Sequence, residues 1–142
     1  VGEVINVDVS AIEELLAVND VPVITPLAIG EDGHTYNINA DVSACKIAEA
    51  LKARKLVFMS DVPGILRDPK DEKTLISSIR IDEVNGLIEE GVLSGGMLPK
   101  IESATSALQA GCRKVHMIDA RLQHSILLEI FTDSGVRTEI MN

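Results

Sequence analysis

The sequence predicts an α/β protein, a three-layer αβα sandwich on a mostly parallel sheet, and three observations carry that prediction. Short β-branched apolar runs alternate with stretches of helical periodicity along the chain. Strands alternating with helices call for crossover connections, which lay helices against the faces of a sheet. With no Trp, one Tyr and two Phe, the core must come from Val, Ile, Leu and Ala, as in a helix-covered sheet. A length of 142 residues suffices for one domain with its own core, and 46% hydrophobic residues argue against disorder. No internal repeat or low-complexity linker divides the chain.

The elements follow in order. Residues 4–7 read as a short strand. Residues 9–18 read as a helix, with Ile12, Leu15 and Leu16 on one face and Glu13 and Glu14 on another. Residues 21–27 form an apolar run whose prolines sit at its ends, as in a buried strand. Asp32-Gly33 signals a hairpin turn, an antiparallel piece at one sheet edge. A helix over 39–53 follows, with Ala44, Ile47, Ala48 and Leu51 facing inward, and then a buried strand over 55–59.

Residues 62–75 carry Pro63, Gly64, Pro69 and a charged run, and so read as a surface loop. A short helix over 81–90 stops at Gly91, the position just past a helix that glycine favours. Gly95-Gly96 reads as a flexible turn. Pro99 opens a helix to Ala110, in the first turn where proline is tolerated, and Gly111 ends it. A strand over 115–118, a helix over 125–131 and a short strand over 138–140 complete the pattern.

Composition excludes several function classes. The net charge of −9, with acidic residues spread along the chain, opposes a nucleic-acid surface, which needs clustered Lys and Arg. Cys45 and Cys112 sit in apolar or helical contexts and read as buried free thiols. No C-x-x-C or His/Cys cluster suggests a metal site, and His34, His116 and His124 lack ligand spacing. No apolar run is long enough to span a membrane, and no signal segment is visible. The chain opens inside an expected strand without an initiator Met, which reads as a piece of a longer polypeptide.

The chemistry concentrates in three polar segments beyond the carboxyl ends of the expected strands, where open α/β sheets bind ligands. Asn37, Asn39 and Asp41 stand at the mouth of the 39–53 helix. Backbone N–H groups and the helix dipole favour anions there, although the same residues serve equally as an N-cap. Ser60-Asp61 follows a buried strand. Gly95-Gly96 precedes Lys100, a cation at the helix end that the dipole disfavours. A nearby phosphate would satisfy both charges, while a surface lysine is the plain alternative. Neither a G-x-x-x-x-G-K-[ST] loop nor a G-x-G-x-x-G fingerprint is present.

Asn37-Ile38-Asn39-Ala40-Asp41, Ser60-Asp61-Val62-Pro63-Gly64 and Gly95-Gly96-Met97-Leu98-Pro99-Lys100 occur in that order. With residues 116–119 and 128–132, they resemble the amino-acid-kinase family over nearly the whole chain. The resemblance is greatest to members that phosphorylate the side-chain carboxylate of N-acetyl-L-glutamate in arginine biosynthesis. It covers only their C-terminal half.

The resemblance implies that residues 1–142 are a single nucleotide-binding lobe, with the acceptor-substrate lobe outside the chain. It implies a cytoplasmic, ATP-dependent kinase with magnesium bound through the phosphates, inactive as this piece alone. Lys100 would neutralise phosphate charge during transfer, Asp41 would organise the active-site lysines, and Asn37 would touch the acyl-amino-acid substrate. Asn39 is expected to be a structural cap. Ser60, Asp61, Val62, Pro63, Gly64, Ile65, Leu66, Val92, Leu93, Ser94 and Met97 would line the nucleotide, with a turn at Pro63-Gly64 and core packing at Val92 and Leu93 as the plain alternatives.

His116, Glu129 and Gly135 match an arginine-effector pocket of feedback-inhibited relatives, although Arg137 stands where the family usually has glycine. A homo-oligomer is a further implied partner. Another carboxylate, carbamate or phosphate acceptor, or a non-catalytic effector-binding module, remain the other readings.

Overall fold

A computed structural model describes residues 2–132 and 137–142. Helix α1 (Ser10–Ala17) precedes a two-stranded antiparallel ribbon of β1 (Leu27–Ile29) and β2 (Thr35–Asn37). Then come α2 (Ala40–Ala50), β3 (Lys55–Ser60), β4 (Ser78–Arg80), α3 (Val84–Glu89), α4 (Leu98–Gln109), β5 (Lys114–Asp119), α5 (Ser125–Phe131) and β6 (Arg137–Met141). The main sheet has the order β3-β5-β6-β4. β3 runs parallel to β5 and β4 parallel to β6, while β5 and β6 are antiparallel, so two of the three ladders are parallel.

The register sorts the two faces. Phe58 lies opposite Met117, Val115 opposite Ile140, and Ile79 opposite Ile140. These residues share one core with Cys45 of α2, Val84 and Leu87 of α3, and Ile101, Ala104, Ala107 and Leu108 of α4. Thus α2, α3 and α4 cover one face. The other face presents Lys114, His116 and Glu139 and is covered by α5 through Glu129. The result is the expected three-layer α/β sandwich, with an apolar interface on one side of the sheet and an ionic one on the other.

Helix ends follow the sequence signals. Asn39 Oδ1 accepts from the backbone N–H groups of Asp41 and Val42, which makes Asn39 the N-cap of α2. Glu83 accepts the backbone N–H of Arg80 at the turn leading into α3. Gly91, at φ +75°, ends α3. Its N–H reaches Ile88 O and that of Val92 reaches Leu87 O, the paired bonds that close a helix through a left-handed residue. The Gly95-Gly96 turn is a 3₁₀ turn, Gly95–Met97, running directly into α4.

Three expectations need correction, and one strand had no counterpart among them. Residues 4–7 form no strand, and Ile5 is exposed. The run expected as a buried strand over 21–27 is unpaired to residue 26, with Val23 92% exposed. Both have strand composition, but among the described residues no strand pairs with 4–7 or 21–26, and β-propensity acts through such pairing. The 31–34 hairpin closes a separate ribbon rather than an edge of the main sheet. Strand β4 was not anticipated, because Ser78-Ile79-Arg80 is too short to show a period.

Gly64 ties the loop after β3 to β6. Its φ is +140°, and an added Cβ would lie 2.7 Å from Thr138 Oγ1 and 2.9 Å from Leu75 Cδ1. That hydroxyl also accepts the Ile65 N–H and donates to Ile76 O, so it cannot move aside freely. Gly64→Ala is therefore expected to destabilise the fold by about 2–4 kcal/mol, the sum of left-handed strain and overpacking. A urea midpoint unchanged in this variant would refute the account.

Candidate functional site

The site is assembled by two helices that start at the same end of the sheet. α2 leads into β3 and α4 leads into β5, and these strands are parallel, so both helix N-termini lie at the carboxyl ends of β3 and β5. Cys45 Sγ donates to Ser103 O one turn deeper, which fixes the helices side by side in the same direction. In the first turn of each stand the two charged residues singled out in the sequence. Lys100 Nζ donates to Asp41 Oδ2 at 2.7 Å. The ammonium also lies 5.5 Å from the centre of the Phe58 ring on β3.

The side chains of Lys100 and Asp41 are 22% and 29% exposed, so the pair is in contact with solvent. A partly exposed ion pair adds about 1 kcal/mol or less to stability, and its value lies in position. Asp41 sits where the dipole favours an anion, and Lys100 where it opposes a cation. The carboxylate offsets that unfavourable placement and aims the ammonium. Burial, then the Asp41 charge, pushes the Cys45 thiol up to about 11, which leaves Cys45 protonated and unreactive. Cys45 and Cys112 are both buried and free, as their contexts suggested.

The other expected residues divide. Asn37 is exposed on β2, two residues before the α2 cap. Ser60, Asp61, Val62, Pro63 and Ser94 retain accessible surface. Ile65 and Leu93 do not: both are core residues at 1% exposure. The Ile65 N–H is held by Thr138 and its carbonyl by Ile76, so it has no free polar group to offer a nucleotide. Gly64 is buried and Leu66 partly buried. Val92 and Met97 pack against the core from its rim. The reading of Val92 and Leu93 as plain packing thus describes their side chains.

Sequence reasoning did not single out Phe58 or Arg121. Arg121 donates through Nε and Nη2 to both oxygens of Asp119 at the carboxyl end of β5, at 2.9 and 2.7 Å. That fork holds the Asp119 carboxyl below the usual carboxylate range. An acid and an arginine two residues apart just past a strand were the available signal. Three surface cavities, of about 800, 460 and 400 Å³, are lined by the N-terminal segment with the ribbon, by α3 with α4, and by α2 with β3. None of the three includes Lys100 or Asp41.

The expected effector residues lie on the opposite face of the sheet. His116 Nδ1 meets Glu129 Oε1, Lys55 Nζ lies 3.3 Å from the same oxygen, and Arg137 Nη1 lies 3.1 Å from Oε2. Lys114 pairs with Glu139 at 2.5 Å. Burial lowers the His116 pKa, outweighing its Glu129 partner, with Lys55 and Arg137 adding to the effect. Burial raises Glu139, but Lys114, His116 and Arg137 together bring it below its ordinary value. Gly135 lies outside the described residues. Among the described residues no group of three His, Cys, Asp or Glu could hold a metal ion, and no helix is long and apolar enough to cross a membrane.

Comparison with known proteins agrees with this architecture. The sequence profile of the Amino acid kinase family matches residues 1–119. Acetylglutamate kinase of Heliobacterium modesticaldum is 52% identical over 141 residues, 99% of this chain and 48% of that protein. That of Desulfitobacterium hafniense is 51% identical over 138 residues, 97% of this chain and 46% of that protein. The chain thus spans about half the length of the curated relatives it matches.

N-acetylglutamate synthase from Neisseria gonorrhoeae, complexed with coenzyme A and L-arginine, superposes with a TM-score of 0.85 at 29% identity. The match covers 94% of this chain and 30% of that one. An isopentenyl phosphate kinase shares the fold at a TM-score of 0.67 and 23% identity, over 94% of this chain and 53% of its own. The profile match over most of the chain, on a fold these solved structures share, shows that the chain belongs to the amino acid kinase family.

Proposed function

We propose that this chain is the ATP-binding lobe of an acetylglutamate kinase, which transfers the γ-phosphoryl group of ATP to the side-chain carboxylate of N-acetyl-L-glutamate. The observation that carries the proposal is the Lys100–Asp41 pair at 2.7 Å, set in the first turns of two parallel helices. The relatives at about half sequence identity bear that enzyme's name. Residues 1–142 act as one nucleotide-binding lobe, and the acceptor is held mainly by the other half of such an enzyme.

Phosphoryl transfer places negative charge on the oxygens of the moving group, and catalysis is chiefly positioning and charge stabilisation. Lys100 supplies a positive charge to the phosphates. Asp41 accepts from that ammonium and sets its direction, taking no proton itself. The N-termini of α2 and α4 add their partial charges to the same place. Ser60, Asp61, Val62, Pro63 and Ser94 are the accessible residues for the nucleoside end, and Asn37 for the acyl-amino-acid acceptor. Magnesium arrives with the ATP phosphates as part of the substrate, a mode that needs few protein ligands.

Calorimetry with a non-hydrolysable ATP analogue tests the reading. The chain is expected to bind it weakly, and Lys100→Ala to weaken binding about tenfold to hundredfold, the loss of one charge-assisted hydrogen bond. With ATP and N-acetyl-L-glutamate, the chain alone is expected to form no acetylglutamyl phosphate. Binding that ignores Lys100→Ala would overturn the assignment.

A further inference from the structure

We propose that Arg121, clamped by Asp119 at the end of β5, is a stacking platform for the purine ring of a bound nucleotide. The inference rests on the reading of this chain as a nucleotide-binding lobe, and it adds a residue and a binding mode to that reading.

Pairing and pleat place the platform. Leu56 is opposite Val115, Phe58 opposite Met117, and Ser60 opposite Asp119. Alternate residues of a strand share one face, and the first two pairs of this row pack into the core beneath α2 and α4. Asp119 therefore ends the row on the face that carries Lys100, whose ammonium lies over the Phe58 ring. Just past the paired strands, the Ala120 N–H donates to Ser60 O at 2.7 Å, which fastens the turn holding Arg121 against Ser60-Asp61. Arg121 thus stands beside the residues assigned to the nucleoside end, at the rim where both helices begin.

The guanidinium is fixed but not used up. Nε and Nη2 grip the two oxygens of Asp119, whose side chain is 5% exposed, and the Arg121 backbone N–H donates to the same carboxylate at 2.8 Å. A side chain already held by a fork loses little further freedom when a ligand lies against it. The Arg121 side chain remains 54% exposed, and its Nη1 has no hydrogen-bond or ion-pair partner among the described residues.

Charge decides which end of a nucleotide belongs there. Nη2 also lies 3.8 Å from Glu72 Oε1, and the Asp61 charge acts on the same group after those of Asp119 and Glu72. One cation among three carboxylates does not attract phosphate. A purine is neutral and stacks on a guanidinium plane. The phosphates are drawn instead to Lys100 and the two helix starts. The two places together orient the nucleotide.

NMR titration of the chain with a non-hydrolysable ATP analogue and with inorganic tripolyphosphate tests the proposal. The ring current of the stacked base is expected to move the Arg121 Nε–H resonance upfield, and tripolyphosphate to leave it in place. Arg121→Ala is expected to weaken binding of the analogue about fivefold to thirtyfold and to leave that of tripolyphosphate unchanged. Lys100→Ala is expected to weaken both. Arg121→Lys keeps the charge and loses the plane, so it should bind the analogue as poorly as Arg121→Ala, and it carries the test should the alanine variant fail to fold. Equal loss for the two ligands, full affinity in Arg121→Lys, or an unmoved Nε–H overturns the stacking role. A loss confined to Lys100→Ala overturns it and leaves the lobe reading intact. A loss confined to Arg121→Ala overturns the phosphate role of Lys100 and leaves the stacking standing.

Discussion

Lys100→Ala, in the enzyme carrying both lobes, is expected to lower kcat by about 10²–10³-fold, the usual cost of deleting one donor aimed at transition-state charge. The ammonium sits between Asp41 and the Phe58 ring, and no other Lys or Arg forms an ion pair with Asp41 among the described residues. Asp41→Asn keeps the shape but loses the charge that aims Lys100, and its effect is expected to be smaller. Because the two residues act as one unit, the double variant should fall well short of the sum of the single effects. Initial rates over a range of ATP and N-acetyl-L-glutamate concentrations make the measurement. Full additivity, or a change confined to KM, would refute the assigned roles.

Glu129→Ala is the substitution with the largest expected cost to stability, about 3–5 kcal/mol. It leaves Arg137 and Lys55 without their carboxylate and His116 without its hydrogen-bond acceptor. Denaturant titration reads the loss directly.

The same cluster contributes to the acid limb of stability. The His116 pKa is depressed in the folded state, so below its ordinary value near 6.5 the unfolded chain binds a proton that the folded chain refuses. This contribution is intact above about pH 6.5 and is lost as pH falls toward the depressed folded value. Glu139 is also depressed below its ordinary 4.5, so its contribution disappears at lower pH still, as the carboxylate is protonated. His116→Gln removes the first of these losses. Its urea midpoint should therefore vary less between pH 5 and 7 than that of the wild type, and an identical slope would exclude His116 as the cause.

Several parts of the molecule were legible in the sequence for physical reasons. Asn39 and Gly91 were readable because caps depend on local chemistry, which one or two residues specify. The positions of Asp41 and Lys100 at helix mouths were readable, the first suited to the dipole and the second opposed to it, whereas their pairing at 2.7 Å needed the fold. Residues 21–25 misled because strand composition states a demand for partners without saying whether partners exist. Ile65 and Leu93 were placed by motif position, whereas both belong to the core, and Ile65 is held by Thr138 of β6, which is distant in sequence. The ionic face of the sheet was half legible. Arg137 was noted as an oddity, but only the pairing of β5 with β6 shows which carboxylate it meets.

The parallel alignment of α2 and α4 has an energetic consequence of its own. Two like-oriented peptide arrays lying side by side repel, and their excess positive potential gathers at one rim of the sandwich. Asp41 offsets part of that potential with the same oxygen that accepts from Lys100. Under the proposed function, an arriving polyanion meets a field that is already built and that one carboxylate offsets only in part. Little reorientation of dipoles remains to be done when charge moves between donor and acceptor.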